Sequence, residues 1–375
     1  MSLPNHARKH DFHNQLEALR KARNLSASRL AELGGVSRQT IYAIENGSYI
    51  PNTVVALRLA AALDTKVENI FQLPAPPVDR SALTTQLVSP ATYPSGTPLR
   101  LVNLRGSTFA VPVRPEHYFL PDADAVLESK SRQLARAKPF EESDGLKILL
   151  AGCDPALGIL AARLVKEEGV ELITAPANST MALDWLRQGK VHIAGIHLRD
   201  ESSGQFNLPF LPTGSDSEPF SVYTFAQWES GFLTAPGNPW GIRDVTHLAQ
   251  SGLRFVKRES GSGSQILFNR LCRQAAMPAK AISCLPHAAK GHLDVAQAIV
   301  RGEADSGLAN RSAAKSFGLG FVPLQQERFD LVLSQRDEAL PAIQALLAVL
   351  QRASLRKRLS GIAGYETHQT GAKLS

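Results

Sequence analysis

Residues 25–46 read LSASRLAELGGVSRQTIYAIEN and carry the strongest signal of fold in the chain. The apolar pattern of residues 30–33 predicts a short helix, which the following glycine pair ends. Ser37 is placed to cap a second helix that buries Ile41 and Ile44. Two short helices joined by a tight glycine-containing turn form a helix-turn-helix, whose second helix is shaped to enter a DNA major groove.

The outer face of the second predicted helix is polar. Its guanidinium, amide and hydroxyl groups can bond to base edges and phosphates. These outward residues are Arg38, Gln39, Thr40 and Tyr42. The pattern therefore indicates a surface that binds a double-stranded DNA operator.

The 375-residue chain has room for two or three domains, and its 43% hydrophobic and 20% charged residues are typical of a globular protein. The formal net charge of +7 suits a polyanionic partner, and it suits a mildly basic enzyme equally well. The N-terminus, MSLPNHARKHDFHNQ, lacks the apolar core of a signal peptide, and no stretch approaches the roughly 18 apolar residues of a membrane span. We expect a cytoplasmic protein with no membrane segment.

The three cysteines, Cys153, Cys272 and Cys284, are widely spaced and include no Cys-x-x-Cys pair. This usage is typical of reduced thiols in a reducing compartment. No metal site and no cofactor are expected.

The first segment, residues 12–73, resembles the Xre/Cro/C1 family of helix-turn-helix domains. The matching motif is Leu30-Ala31, Gly35-Val36-Ser37, Thr40-Ile41 and Glu45-Asn46-Gly47, followed by Pro51. The family often has Gln at the start of helix 2, where it helps to hold a phosphate. This chain has Ala27 there, with Ser28 or Arg29 as substitutes. The resemblance implies a homodimer on two half-sites and adds three DNA-binding residues: Ser28, Ser37 and Asn46.

Residues 74–145 are interpreted as a linker with a small β-hairpin element. PAPPVDRS and SPATYPSGTP are Pro-rich, whereas LRLVNL, RGST and FAVPV predict strand, turn and strand. The dipeptide at 111–112, Val-Pro, argues for an edge strand. We expect a structured connector or dimerisation element, with the polar run of residues 128–145 marking its boundary.

From Leu146 to Ser375 strands and helices alternate, which predicts a parallel α/β sheet with crossover helices. Three strand-to-helix junctions carry small polar residues, and such junctions meet at the carboxyl edge of a sheet. Helix N-termini and hydroxyls there suit an anion, and Arg258 adds charge. Capping alone explains any single junction. Three junctions together favour a binding cleft.

Four blocks of this region resemble a substrate-binding-like domain related to periplasmic molybdate- and tungstate-binding proteins, over residues 146–340. They are GCDPALGILA, GKVHIAGIHL, FVKRESGSGSQILFNRL and HLDVAQAIVRGEADSGLANRSAAKSFGLGFVPL. The resemblance implies a two-lobed fold of the type II periplasmic-binding-protein kind, with crossing segments near 223–233 and 321–333. It also implies an oxyanion such as molybdate or tungstate in the cleft.

Relatives commonly have Asn-Arg before the Gly/Ser loop and Thr-Arg at its end, where this chain has Lys257-Arg258 and Ser264-Gln265. A small organic anion therefore stays open as the ligand. The expected ligand-binding residues are Cys153, Asp154, Asn178, Ser179, Thr180, His197, Arg258, Ser260, Gly261, Ser262, Gly263 and Ser264.

The histidines carry less information. His192 and His197 point to opposite faces of one strand, so they do not form a paired metal site. His192 is interpreted as a structural or surface residue. For His197, which ends the strand, two orientations stay open: the side chain faces the cleft or points away from it. His292 and Asp294 open a helix, and capping explains Asp294.

No nucleophile with a supporting base motif is present, so an enzyme is not expected. The predicted fold class is multidomain: an all-α helix-turn-helix head, a small β connector and a two-lobed α/β domain over 146–375. The predicted function is a cytoplasmic, DNA-binding transcriptional regulator that senses a small ligand. The alternative, a solute-binding component of an anion transporter, conflicts with the N-terminus and the helix-turn-helix.

Overall fold

The structure, a computed structural model, describes residues 13–72, 83–113, 122–131, 134–141, 145–211, 219–250 and 252–375. The chain forms two compact units, Met1–Asp79 and Arg80–Ser375. The first Pro-rich part of the predicted linker, residues 74–82, lies outside the described residues. Within the described ranges, no helix is both long and apolar enough to cross a membrane.

The first unit is helical. Within residues 13–72 it comprises β1 (His13–Asn14), α1 (Leu16–Ala22), α2 (Ala27–Gly34), α3 (Arg38–Glu45), α4 (Thr53–Ala62), α5 (Val67–Ile70) and β2 (Phe71–Gln72). The Ser26 side chain caps α2 by accepting from the Arg29 N–H at 3.1 Å, and Ser37 caps α3 by accepting from the Thr40 N–H at 3.0 Å. Gly35, with φ +67°, ends α2 in the left-handed region. The predicted helix-turn-helix is confirmed.

Helix α4 is apolar on more than one face. It buries Ala56, Leu59 and Ala60. Val54 and Leu57 are 56% and 57% exposed. The buried stripe follows the i, i+3, i+4 pattern from Ala56, which turns the other two side chains outward.

A buried ion pair joins α1 to the recognition helix α3. The Arg20 Nε lies 2.6 Å from Glu45 Oε1, and Nη2 lies 3.0 Å from Oε2. The remaining nitrogen, Nη1, donates to the Leu25 carbonyl at 3.0 Å. The fork geometry satisfies the whole guanidinium, so the pair fixes the angle between the two helices.

Five strands between residues 83 and 139 form a closed barrel, where a linker with a hairpin was expected. Its described strands are β3 (Leu83–Leu87), β4 (Pro98–Leu104), β5 (Ser107–Pro112), β6 (Ala125–Ser131) and β7 (Leu134–Pro139), in the order β3-β5-β4-β6-β7. The predicted hairpin is present as β4 and β5. The polar run that was expected to mark a boundary forms much of β6 and β7. Every second residue of β7, such as Ala135 and Ala137, is buried there. This two-residue alternation is typical of a strand, but the polar residues between the alanines make it hard to recognise in the sequence.

Strand β5 is not an edge strand, because it pairs with β4 on one side and with β3 on the other. Pro112 is tolerated because it is the last residue of the strand, where no ladder hydrogen bond needs its nitrogen. Closure into a barrel also leaves no exposed sheet edge.

The barrel packs directly on the α/β domain. Phe109 and Val102 of the barrel share one hydrophobic core with Ile173 and Trp185. Asp124 of the barrel accepts from the Lys147 ammonium group at 2.9 Å across the same boundary. The barrel is therefore part of the second unit and is not a spacer.

The α/β domain follows the barrel. Its strands are β8 (Lys147–Gly152), β9 (Glu171–Pro176), β10 (Ile193–Ile196), β11 (Phe220–Thr234), β12 (Phe255–Val256), β13 (Ser306–Asn310), β14 (Gly320–Ser334) and β15 (Tyr365–Glu366). Its helices are α6 (Leu157–Glu168), α7 (Ser179–Arg187), α8 (Val245–Gln250), α9 (Gly263–Gln274), α10 (His292–Val300), α11 (Arg311–Ser316), α12 (Pro341–Gln351) and α13 (Ala353–Leu359).

Two long antiparallel strands, β11 and β14, run through both halves of the domain. The strand order β12-β13-β11-β14-β10-β8-β9 places β8 to β10 on one side of this pair and β12 and β13 on the other. Each side has separate hydrophobic clusters. The two-lobed fold and both predicted crossing segments are confirmed.

Candidate functional site

The recognition helix α3 presents the predicted polar surface. Arg38, Gln39 and Tyr42 are exposed, as are Ser28 on α2 and Asn46 after α3. These groups lie on one small domain whose apolar face is turned inward. The surface therefore offers donors and acceptors for bases and phosphates.

Several of these side chains are pre-oriented by neighbours. The Arg38 Nη2 donates to the Tyr42 hydroxyl at 3.1 Å, and its guanidinium lies 5.4 Å from the ring centroid. The half-buried Thr40 hydroxyl is 2.9 Å from the Ser37 hydroxyl. Such contacts reduce the side-chain entropy that would be lost when DNA binds.

The three predicted strand-to-helix junctions meet between the lobes. Asn178 donates through Nδ2 to the Ser260 carbonyl at 3.1 Å, and the Thr180 hydroxyl donates to the Gly261 carbonyl at 3.0 Å. These bonds join the N-terminus of α7 in the first lobe to the loop before α9 in the second. The lobes are in contact at this loop, so the cleft is closed here.

Two glycines permit this approach. A Cβ on Gly263 would lie 2.4 Å from the carbonyl oxygen of His197 in the other lobe. Gly261 has φ +86°, and a Cβ there would lie 3.0 Å from the Asn178 Oδ1. The glycines of the GSGS stretch thus serve close packing between lobes.

Most polar side chains at the junctions bond to nearby backbone N–H groups. Asn178 accepts from the Met181 N–H at 3.0 Å, and Ser262 accepts from the Gln265 N–H at 3.2 Å. Ser179 accepts from the His197 N–H at 3.0 Å. Asp154 accepts from the Ala156 N–H at 2.8 Å. These residues lie at the cleft, but their side chains mainly hold the loops in place.

Arg258 is 3% exposed and bonds to its neighbour Glu259 through Nε at 2.9 Å and Nη2 at 3.0 Å. Part of the positive charge expected for the cleft is therefore neutralised within the same loop. The third nitrogen, Nη1, has no hydrogen-bond partner among the described residues, and neither does the buried hydroxyl of Ser264. Both groups remain available to a ligand.

Cys153, His197 and His292 converge at the centre of the cleft. The Cys153 Sγ lies 3.5 Å from His197 Nε2 and 4.0 Å from His292 Nε2. Their donor atoms lie within 4.8 Å of one another, as the ligands of one metal ion would. However, the Asn310 N–H donates to His292 Nδ1 at 3.3 Å, so a neutral ring carries its proton on Nε2. This nitrogen then faces the sulfur as a donor.

The histidine rings are enclosed by the crossing strands. The Trp228 ring of β11 lies 5.0 Å from His197 and 5.2 Å from His292, centroid to centroid. On β14, Glu327 Oε2 lies 3.8 Å from His197 Nδ1. Burial lowers the pKa of His197, but the charges and hydrogen bonds of Cys153 and Glu327 outweigh burial and raise the pKa to about 10. Burial also lowers the pKa of His292 well below its ordinary value, helped by the charge of Arg258.

Sequence reasoning missed the residues from the crossing strands, Trp228 and Glu327, and it interpreted His292 only as part of a helix start. The available signals were polar or aromatic residues in the middle of otherwise apolar strands. The junction at Asn310, which follows β13, also matches the pattern of the other three. His192 is buried and accepts from the Leu149 N–H at 3.1 Å, in line with a structural role.

Comparison with known proteins supports both halves of this description. Residues 161–351 match the family described as PBP superfamily domain, and residues 16–70 match the helix-turn-helix family. YvgK of Bacillus subtilis (strain 168) is 28% identical over 245 residues, which cover 64% of this chain and 76% of YvgK. The HTH-type transcriptional regulator YgzD of the same strain is 40% identical over 60 residues, which cover 16% of this chain and 91% of YgzD.

Among solved structures, the tungstate ABC transporter from Geobacter sulfurreducens is similar at 14% identity with a TM-score of 0.44, over 57% of this chain and 98% of that chain. The match to the PBP family covers more than half of the chain. The match to YgzD covers nearly the whole of that regulator. The chain therefore belongs to the PBP superfamily, and its first domain belongs to the helix-turn-helix transcriptional regulators.

Proposed function

We propose that this protein is a cytoplasmic, ligand-responsive regulator that binds an operator through α3 and a small anion in the interlobe cleft. The proposal rests on the observation that one chain combines two distinct surfaces suited to binding. An exposed polar recognition helix lies in the first unit, and a closed cleft with a buried, incompletely bonded arginine lies in the second. The ligand changes operator affinity only if it binds the DNA-competent arrangement with a different affinity.

The DNA-binding part rests on α3. Its outward side chains include the bidentate donor Arg38, the group that most often reads guanine in the major groove. The exposed apolar residues Ile50 and Leu57 line a cavity of about 360 Å³ on the same unit, and Val54 is exposed as well. We propose that this face supports a homodimer, which would place two recognition helices on half-sites about 34 Å apart.

Arg38→Ala is expected to weaken operator binding by roughly 1–3 kcal/mol if Arg38 reads a guanine. Fluorescence anisotropy with the operator at fixed salt measures the change, and Lys21→Ala, at an exposed ion pair on α1, is the control. The proposed role of Arg38 is wrong if both variants bind with wild-type affinity.

The proposed anion site rests on two buried groups that have no hydrogen-bond partner among the described residues. Arg258 Nη1 and the Ser264 hydroxyl lie beside the N-terminus of α9, where the helix dipole also favours negative charge. Molybdate and tungstate are the first candidates, because the sequence blocks of this domain resemble proteins that bind them. Small organic anions are the alternative outcome of the same screen.

An oxyanion that binds the cleft is expected to stabilise the full-length protein by about 2.7 kcal/mol when present at 100-fold its Kd. Thermal unfolding with molybdate, tungstate, sulfate or phosphate tests this expectation. Arg258→Gln should abolish the shift, whereas Arg254→Gln, at an exposed ion pair with Asp305, should retain it. A shift that persists in Arg258→Gln would place the anion elsewhere, and no shift with any of the four would leave organic anions to be screened.

A further inference from the structure

We propose that Cys153 is a reactive cysteine, flanked in the interlobe cleft by His197 and Arg258. Small electrophiles are expected to modify it ahead of the other two cysteines of the chain. The inference goes beyond DNA and anion binding, because it assigns a modification site to the sulfur itself. It does not depend on which ligand the cleft binds.

The sulfur of Cys153, the imidazole of His197 and the carboxylate of Glu327 lie in a row in the cleft. The Cys153 Sγ is 3.5 Å from His197 Nε2, and His197 Nδ1 is 3.8 Å from Glu327 Oε2. In this order the carboxylate orients the imidazole, and a cationic imidazole beside a sulfur increases its reactivity as a nucleophile. With its pKa raised to about 10, His197 is a cation at neutral pH.

Two further polar groups of the second lobe lie near the sulfur. His292 is neutral and presents its Nε2–H at 4.0 Å, because its other ring nitrogen accepts from the Asn310 N–H. Arg258 contributes positive charge, and among the described residues its Nη1 has no hydrogen-bond partner. Burial lowers the pKa of Arg258, but the hydrogen bonds of Glu259 and the charges of Glu259 and Cys153 raise it overall.

The acidic groups near the sulfur do not cancel this arrangement. Glu259 is paired with Arg258. Burial raises the pKa of Asp154, against the effect of the Tyr365 hydroxyl, which donates to it at 2.6 Å. Burial, together with the charge of Asp154, also raises the pKa of Tyr365 well above its ordinary value, so its hydroxyl remains a neutral donor.

Hydrogen peroxide and the groups of the cleft are sufficient to oxidise the sulfur. The thiolate sulfur attacks one oxygen of hydrogen peroxide, the O–O bond breaks, and hydroxide leaves. Hydroxide takes the proton of His197 to form water, so that sulfur is oxidised to a sulfenic acid and the peroxide is reduced. With iodoacetamide, a sulfur–carbon bond forms and iodide leaves.

The other two cysteines serve as internal controls. Burial raises the pKa of both Cys272 and Cys284, so both remain thiols at neutral pH. Among the described residues, no histidine or arginine is hydrogen-bonded to either of these sulfurs, whereas the sulfur of Cys153 lies beside His197. Cys153 and Cys284 are both part-exposed, so they differ in their neighbours and not in their exposure class. The three cysteines therefore differ in whether a cationic histidine lies beside the sulfur.

The test is alkylation of the full-length protein by iodoacetamide at about pH 7, followed by peptide mass spectrometry. Cys153 should react at least about tenfold faster than Cys284, because a cation beside a sulfur increases its reactivity. His197→Gln should reduce this advantage to less than about threefold, whereas His287→Gln, at an exposed histidine, should retain it.

A second measurement covers the case in which His197→Gln fails to fold or the closed cleft slows the reagent. Hydrogen peroxide is smaller than iodoacetamide, and dimedone labels the sulfenic acid that it forms. Cys272→Ser/Cys284→Ser protein should take up the label, and the same protein with Cys153→Ser should not. Equal labelling of these two proteins, or equal alkylation rates at Cys153 and Cys284, would overturn the proposal. Neither readout uses DNA or an anion, so failure here is distinct from failure of the proposed function.

Discussion

Arg20→Ala is expected to unfold the helix-turn-helix unit and abolish operator binding, while the unit from Arg80 onward stays folded. The substitution leaves the Glu45 carboxylate, whose side chain is 5% exposed, without its partner. Breaking a buried pair on one side costs about 3–5 kcal/mol, which is comparable to the whole stability of a small domain. Far-ultraviolet circular dichroism during urea titration measures the two units as separate transitions.

Two controls separate the lost pair from the lost side chain. Arg20→Met/Glu45→Met replaces both charges with apolar groups of similar length, so the first transition should largely recover. Glu17→Ala removes an exposed pair with Lys21 from the same helix and should change stability by less than about 0.5 kcal/mol. An unchanged first transition in Arg20→Ala would contradict the role given to this pair.

Gly263→Ala is expected to hold the cleft open. The added methyl group would lie 2.4 Å from the His197 carbonyl oxygen and 2.5 Å from its Nδ1, which is closer than real Cβ contacts allow. Because one of the two atoms is backbone, the lobes themselves must separate, and overpacking of this kind costs roughly 1–3 kcal/mol. Hydrogen–deuterium exchange should then increase about tenfold or more at the N-terminus of α7 and in the loop before α9.

Gly291→Ala is the matched control. Gly291 precedes α10 in extended backbone, and a Cβ there meets nothing within 4 Å. Its exchange pattern at the lobe contact should remain that of the wild type. Equal protection in Gly263→Ala and in Gly291→Ala would show that the contact at His197 does not control closure.

Local signals in this chain predicted local structure well. Ser26, Ser37 and Asn178 each cap a helix through a bond to a backbone N–H three residues ahead. Such a bond depends only on neighbouring residues, so it can be inferred from their order. The crossing strands β11 and β14 were placed through the family resemblance, and the burial of β11 along almost its whole length agrees with a strand covered on both faces.

The barrel illustrates why the rest was not predictable. Strand β7 buries the small residues Ala135 and Ala137, which alternate with exposed residues such as Arg136 and Lys138. Alanine contributes little to a hydrophobic pattern, so the alternation was interpreted as a polar boundary. Only pairing with β3 closes the sheet and creates the inside that these alanines fill.

By itself, the sequence determined the helix-turn-helix, the strand and helix order of the α/β domain and the polar junctions of its cleft. These depend on caps, turns and periodicities that act over a few residues. The tertiary structure alone decided that Arg258 is paired with Glu259 and that Cys153 meets His197 and His292. The groups around this sulfur are contributed by positions between 153 and 327, and only folding brings positions so far apart in the chain into one cluster.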